Sequence, residues 1–234
     1  MSDERAADVI ARDLERRIIS GELANNTTLP AEKDLGQKYG ASRTVVREAI
    51  TALTNRGMLE NRPRFRPVVR KPGFEDALST MGSIIQHLTN APQGVENLFQ
   101  SRVFLERALV REAAIRAQSS DIRDLKTALV ANKESIESSD EFYETDTEFH
   151  RIFYRIPRNP IYPALHEAYN QWLAKHWIKM ERSPARNRVN YESHKAIYEA
   201  IAQRDVEAAE SHLEKHLENA WNQIKDTFDV TDEQ

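Results

Sequence analysis

Asp146 and His150 stand four positions apart in the stretch Asp-Thr-Glu-Phe-His. In an α-helix this spacing places both side chains on one face, where a carboxylate oxygen and an imidazole nitrogen can bind the same ion. His194 and His216 lie farther along the chain in segments of helical periodicity, with His212 one turn before His216. Three imidazoles and one carboxylate from three helices form a suitable ligand set for Zn²⁺ or another borderline divalent ion.

Two other interpretations of these residues stay open at the level of spacing. The chain contains seven His, so the pattern could also arise from scattered polar residues of ordinary helices. Alternatively, an ion with an open coordination position could activate water in a metal-dependent hydrolase. A hydrolase needs a general base beside the ion, and Glu148 is two positions from both Asp146 and His150, so it points away from their face. We therefore expect no enzymatic activity.

A second group of chemically suited residues is basic and lies in the first third of the chain. Residues 1–72 contain 14 Lys and Arg against 10 Asp and Glu, whereas the remainder contains 19 against 27. Five cations and no acid lie between positions 62 and 71: Arg62, Arg64, Arg66, Arg70 and Lys71. A basic N-terminal segment followed by an acidic remainder suggests a nucleic-acid-binding domain joined to a second module. The five cations could contact phosphates or a minor groove.

Helical periodicity dominates the elements that must position these residues. In the basic N-terminal segment, the predicted helices cover about 3–20, 30–39 and 42–57. Ser42 is the predicted N-cap of the third helix, which follows the second after a tight turn. This arrangement is typical of a helix-turn-helix, in which Arg43, Thr44 and Arg47 face outward to contact bases or phosphates.

The pattern changes after Gly57, where Met58–Asn61 and Pro67–Arg70 are predicted to form the two strands of a β-wing. Lys71, Pro72 and Gly73 form a short linker, so we predict a winged helix-turn-helix domain at 1–72 and a second domain at 73–234. The second domain is predicted to be an all-helical antiparallel bundle, which makes the fold mainly α. Its predicted helices cover 74–89, 95–118, 120–138, 140–155, 160–181, 188–203 and 205–228.

Composition excludes several other classes of protein. The chain has no Cys, which rules out disulfide scaffolds, Cys-ligated zinc and thiol nucleophiles. It has no apolar run near the roughly 20 residues that span a bilayer, and its first residues are charged rather than a signal peptide. We expect a cytoplasmic protein that does not bind membranes.

The segments LPAEKDL at 29–35, YGASR at 39–43, VREAI at 46–50 and GML at 57–59 resemble the winged helix-turn-helix of GntR-family bacterial transcription regulators. The resemblance implies that Arg43, Thr44 and Arg47 contact operator DNA. It also implies that Glu32 and Lys33 lie near the phosphates. Because such domains read two half-sites, we expect a homodimer on a palindromic double-stranded operator.

The segments EFYETDTEFHRIFYRI at 141–156, HKAI at 194–197 and HL at 216–217 resemble the FCD effector domain of the FadR branch of that family. The resemblance implies that Asp146, His150, His194 and His216 bind a divalent metal, with Zn²⁺ favoured and Ni²⁺ as an alternative. The remaining His are then expected at the surface or in a second layer around the ion. They are His87, His166, His176 and His212.

The segment SRVFLE at 101–106 shares this resemblance and implies that Arg102 binds the carboxylate of a small effector beside the metal. Arg102 could instead be a surface residue paired with Glu106, four positions on. Asn190 and Tyr191, close before His194, are further candidates for the effector pocket.

Within the branch, the segments IP at 156–157, NPI at 159–161 and WL at 172–173 are similar to repressors of sialic-acid catabolism. We therefore expect a DNA-binding repressor of a catabolic operon, released or modulated by a small carboxylate such as a sialic acid or sugar acid. The alternative is a metal-responsive regulator whose effector is the ion itself.

Overall fold

The computed structural model describes residues 5–61, 65–89, 93–180 and 182–225. The chain divides into two compact units, Met1–Thr80 and Met81–Gln234, and each is built around its own apolar core. Helices dominate both units, so the predicted mainly α fold is confirmed. The predicted domain boundary at 72–73 stays a prediction.

The N-terminal unit contains a helix-turn-helix followed by a small hairpin. Its elements are α1 (Ala6–Ile19), α2 (Glu32–Tyr39), α3 (Arg43–Asn55), β1 (Leu59–Glu60), β2 (Val68–Val69) and α4 (Phe74–Thr80). Gly40 ends α2 in the left-handed conformation at φ 60°, which costs Gly little. The Ser42 side chain caps α3 by accepting a hydrogen bond from the backbone N–H of Val45, with 3.4 Å between Oγ and N.

The core of this unit is formed by the apolar faces predicted from the 3.6-residue period. Leu14 of α1, Leu35 of α2 and both Val46 and Leu53 of α3 are fully or almost fully buried and pack into one cluster. Because these positions face inward, the opposite face of α3 is left to solvent. The helix-turn-helix thus presents the start of α3 outward.

The hairpin pairs Leu59 with Val69 and Glu60 with Val68 in antiparallel register. Its strands are shorter than predicted, and Thr28 forms an additional bridge to Val68. No strand is predicted between the first two helices, but the backbone at Thr28 pairs with the second edge of β2 and extends the sheet. Arg62 and Arg64, two predicted wing contacts, lie outside the described residues.

The C-terminal unit is helical throughout its described residues. Its elements are α5 (Gly82–Leu88), α6 (Gly94–Arg116), α7 (Ser119–Glu134), α8 (Ser139–Arg155), α9 (Ile161–Trp177), α10 (Pro184–Ala202) and α11 (Val206–Lys225). Helix α10 packs on α11, α7 and α8, while α6 packs on α11 and α8. The inward faces of α8, α10 and α11 therefore meet around one interior, with α6 and α7 behind them. No described helix combines the length and apolar character needed to cross a membrane.

The prediction of a single helix over 74–89 is wrong, because the chain forms α4 and α5 with a break at Met81. Gly82, which begins α5, has low helix propensity. A Cβ on Gly82 would lie 3.8 Å from Nε1 of Trp172, so the backbone there runs close to that ring.

Candidate metal centre and nucleic-acid interface

Four potential metal ligands converge inside the C-terminal unit. Asp146 and His150 come from α8, His194 from α10 and His216 from α11, and one ligand atom from each lies within 4.8 Å of all the others. The three His are buried and Asp146 is half-buried. The helix spacing and the packing of three helices together bring these residues to one point.

Three of the separations within this cluster suit a tetrahedral ion. His216 Nε2 lies 3.1 Å from His150 Nε2 and 3.3 Å from His194 Nε2, and His194 Nε2 lies 3.4 Å from an Asp146 carboxylate oxygen. With Zn–N distances of about 2.0–2.1 Å, the edge of a ligand tetrahedron is about 3.3–3.4 Å. The donor set and its spacing therefore fit a borderline divalent ion.

A chain of hydrogen bonds fixes the tautomer of His194. The Thr145 hydroxyl donates to the carbonyl of Phe142 at 3.0 Å and therefore accepts from the Asn132 amide Nδ2, also at 3.0 Å. The Asn132 carbonyl oxygen is then left to accept from His194 Nδ1 at 3.0 Å. With its proton on Nδ1, neutral His194 presents the lone pair of Nε2 to the cluster.

His150 is oriented in the same way by a carboxylate. Its Nδ1 lies 2.7 Å from a Glu106 oxygen, and Glu106 also accepts from Arg102 Nε at 2.7 Å and from the Tyr154 hydroxyl at 3.0 Å. These side chains are all buried. A carboxylate behind a metal-binding His fixes its ring and raises its basicity.

Burial keeps His194 and His216 in the neutral form that binds metals. Desolvation lowers the pKa of His216 to about 3, with the charge of His150 as a smaller cause. It also lowers the pKa of His194 well below its ordinary value, and it raises the pKa of Asp146. The remaining nitrogen of His216, Nδ1, is buried without a hydrogen-bond partner in the described part of the chain. Three imidazole nitrogens and a carboxylate oxygen that converge in this way favour a bound cation.

A cavity of about 730 Å³, including its open mouth, adjoins the cluster. Asp146, His150 and His216 line it together with two of the predicted effector residues, Arg102 and Asn190. Tyr191, the third, packs against the apolar core instead. The structure supports part of each interpretation of Arg102. As expected for a paired helix residue, Arg102 forms an ion pair with Glu106. As expected for an effector contact, it is buried and lines the cavity.

The remaining His divide between surface and interior. His87 and His212 are exposed, whereas His166 and His176 are buried. The ring centroid of His166 lies 4.9 Å from that of Tyr154, the residue that donates to Glu106. His166 thus lies in a layer behind the cluster.

The predicted DNA contacts in the N-terminal unit lie on its solvent side. Lys33, Arg43, Thr44, Arg47 and Arg66 are exposed. Glu32 is half-buried and both its carboxylate oxygens accept from Arg47 Nε, at 2.9 and 3.0 Å. Among the described residues, the terminal nitrogens of Arg47 have no partner. They are therefore free to donate to a guanine edge or a phosphate.

The residues that support the ligands were not predicted from the sequence. Asn132 and Thr145 received no role, and Glu106 was considered only as a partner of Arg102. Asn132 belongs to α7 and Glu106 to α6, so only tertiary packing brings them to the ligands on α8 and α10. The apolar periodicity of α7 and α6 could have indicated both residues, because it places the polar Asn132 and Glu106 on the inward faces of their helices.

Comparison with known proteins gives matches over both units. The model of the FCD domain matches residues 97–219, and that of the bacterial regulatory proteins of the gntR family matches residues 6–69. The HTH-type transcriptional repressor NanR of Klebsiella aerogenes is 31% identical over 221 residues, covering 94% of this chain and 85% of that protein. NanR of Salmonella newport is 32% identical over 219 residues, covering 93% and 84%.

Solved structures agree on the fold. Streptococcus agalactiae GntR has a TM-score of 0.65 at 21% identity, with 92% of this chain and 98% of that chain covered. McbR/YncC of E. coli has a TM-score of 0.53 at 18% identity, with 95% and 98% covered. The NanR relatives are transcriptional repressors rather than enzymes.

Proposed function

Because the chain belongs to the GntR family of bacterial regulatory proteins and carries an FCD domain, we propose that it is a metal-containing repressor of catabolic genes, controlled by a small carboxylate. The N-terminal unit binds a palindromic operator as part of a homodimer, and the C-terminal unit binds the ion and the effector. The similarity to NanR repressors over most of the chain supports the repressor role.

One observation carries the proposal: four ligand atoms from three helices converge within 4.8 Å beside an open cavity. An ion there supplies a Lewis acid to which a carboxylate oxygen can bind. Asp146, His150, His194 and His216 hold the ion, while Arg102 and Asn190 orient the effector from the cavity wall. The effector regulates DNA binding only if it binds the operator-competent and incompetent states with different affinity.

The metal assignment is tested by removing one ligand. We expect His150→Ala to lose the ion, because an incomplete ligand set binds weakly. His212→Ala is the matched control, since His212 is an exposed His of α11. Elemental analysis after purification should show metal in the control only, and stoichiometric metal in His150→Ala would refute the assignment.

The effector assignment is tested by Arg102→Lys rather than by truncation. Removal of Arg102 would leave the Glu106 carboxylate buried without its cation, which destabilises a protein strongly. Lys keeps the charge and loses the planar fork that suits carboxylates. We expect retained metal and operator binding but a weaker release of DNA by N-acetylneuraminate or a sugar acid. An unchanged release would place the effector elsewhere.

A second candidate function is a metal-responsive regulator with the ion as effector. The burial of the three His and the fixed tautomer of His194 favour this alternative, because they prepare the cluster for an ion without any other ligand. Separate titrations of operator binding with Zn²⁺, Ni²⁺ and carboxylates distinguish the two functions. A response to metal alone favours the sensor, and a response to carboxylate at constant metal favours the primary proposal.

A further inference from the structure

The cavity extends well beyond the candidate metal ligands. Along α8, its lining runs from His150 through Asp146 and Tyr143 to Ser139, which corresponds to about 16 Å of helix at about 1.5 Å per residue. A carboxylate bound to an ion at the cluster would occupy only the end nearest His150. The end near Ser139 is then available to another part of the ligand.

The second end of the cavity carries two Arg side chains. Arg182 and Arg186 contribute to the lining, which contains three Arg and one Asp among the residues that the structure describes. Arg182 lies over the ring of Tyr143, 5.6 Å from its centroid, and pairs with Asp140. These contacts place the Arg182 guanidinium beside the N-terminal part of α8, one to two turns from Asp146.

Arg182 can change partners more easily than Arg102. Its ion-pair partner Asp140 has a side chain that is 90% exposed, and an ion pair at the surface contributes little because water screens both charges. Arg102, by contrast, is held by the fully buried Glu106. An anionic group entering the cavity can therefore replace Asp140 on Arg182 at small cost.

We propose that the cavity takes a sugar acid with two anionic groups, one a carboxylate at the metal end and the other held by Arg182 and Arg186. A planar guanidinium binds carboxylate or phosphate through paired hydrogen bonds. Asn190, on the cavity wall, offers an amide to hydroxyl groups between the two ends. This inference rests on the proposed function and narrows the class of its effector.

The test compares three acids that share a carbon skeleton and its carboxylate but differ at the other end. D-gluconate ends in a hydroxyl, D-glucarate in a second carboxylate and 6-phospho-D-gluconate in a phosphate. Calorimetry with the zinc-loaded full-length protein should show that glucarate or phosphogluconate binds at least about tenfold more tightly than gluconate, because only these two acids carry a second anionic group. Whichever of the two binds more tightly shows whether the second group is a carboxylate or a phosphate.

A variant then assigns the preference to its residue. Arg182→Gln should reduce the affinity for the preferred acid with two anionic groups to that for gluconate and leave the affinity for gluconate unchanged. Arg188→Gln is the matched control, because Arg188 is exposed on α10, pairs with the exposed Glu137 and does not line the cavity. Thermal melts of both variants verify that they are folded.

Several results would overturn the inference. Three results would exclude the second anion position: equal affinity for all three acids, a preference for a second anionic group that survives Arg182→Gln, or tighter binding of the monoanion N-acetylneuraminate. Those results leave the proposed carboxylate effector intact. If no acid binds the zinc-loaded protein or changes its affinity for the operator, the proposed effector control fails together with this inference.

Discussion

At the scale of single residues, the candidate metal centre depends on side chains that never touch the ion. Asn132 fixes which nitrogen of His194 carries the proton, and Glu106 does the same for His150. The proximity of Asp146 to His150 was predictable, because the two residues share a helix at a spacing that places them on one face. The choice of His194 and His216 as further ligands came from the resemblance to the FCD domain. The role of Asn132 was not predictable, since it depends on how α7 packs against α8 and α10.

Asn132→Leu should weaken Zn²⁺ binding by about 10- to 100-fold, the usual effect of losing such a supporting residue. Without the Asn132 carbonyl, the proton of His194 can move to Nε2 and block the lone pair. Asn132→Asp is the control, because a carboxylate still accepts from His194 Nδ1. Competition with a chromogenic chelator measures both affinities, and equal losses in the two variants would contradict the tautomer argument.

Glu32 is better explained as a support for Arg47 than as a contact with phosphates. Its negative charge opposes phosphate, and both its oxygens bind Arg47 Nε while the terminal nitrogens stay available. Arg47→Ala should cost about 1–3 kcal/mol of specific operator binding. Glu32→Gln should lose part of this preference for the operator over other DNA. The double variant should lose no more free energy of specific binding than Arg47→Ala alone. Mobility shifts with operators substituted at each position measure this, and additive losses would show independent roles.

At the scale of elements, most helices followed from their apolar period and their caps, as for α3 with Ser42 and the stop at Gly57. The break between α4 and α5 could not be predicted in this way, because the helical pattern of the sequence continues through Met81. The close approach of Gly82 to Trp172 depends on tertiary packing. The bridge between Thr28 and Val68 was missed for a similar reason. A segment of so few residues has no strand period of its own.

The packing of α9 on α8 should make the stability of the C-terminal unit depend on pH. Burial, and then the charge of Arg102, lowers the pKa of His166 to about 3 from an ordinary value of 6.5. Between these values the unfolded chain binds the proton and the folded chain does not. The free energy of unfolding therefore falls as the pH is lowered through this window, by up to about 1.4 kcal/mol per pH unit for this His.

His166→Gln should reduce the number of protons taken up on unfolding by about one, and so flatten the dependence of the unfolding free energy on pH. His87→Gln, at an exposed position, should leave that dependence unchanged. Urea unfolding with a metal chelator, between about pH 7 and 5, measures the difference. All three Trp of the chain, Trp172, Trp177 and Trp221, belong to the C-terminal unit, so their fluorescence reports on that unit alone. An unaltered slope in His166→Gln would show that His166 is protonated in the folded state.

At the scale of the whole molecule, the division into two units separates two kinds of chemistry. The N-terminal unit closes its core with α1, α2, α3 and the hairpin, and the candidate ligands all belong to the C-terminal unit. The charge asymmetry of the sequence is consistent with two kinds of chemistry, because the net basic residues 1–72 and the net acidic remainder suit different partners. The chemical class of the effector could not be predicted in the same detail. The lining of the cavity comes from α6, α8, α9, α10 and α11, and only tertiary packing brings these helices together.

Zn²⁺ should therefore stabilise one unit and leave the other unchanged. An ion that binds only the folded state stabilises it by about 2.7 kcal/mol at a hundred times its dissociation constant. Hydrogen exchange followed by mass spectrometry should show slower exchange in α8, α10 and α11 on adding Zn²⁺, with α1 and α3 unaffected. His150→Ala should abolish the response and His212→Ala should keep it. Equal protection of both units would mean that the ion acts through the whole chain, and no protection anywhere would remove the metal from the proposed function.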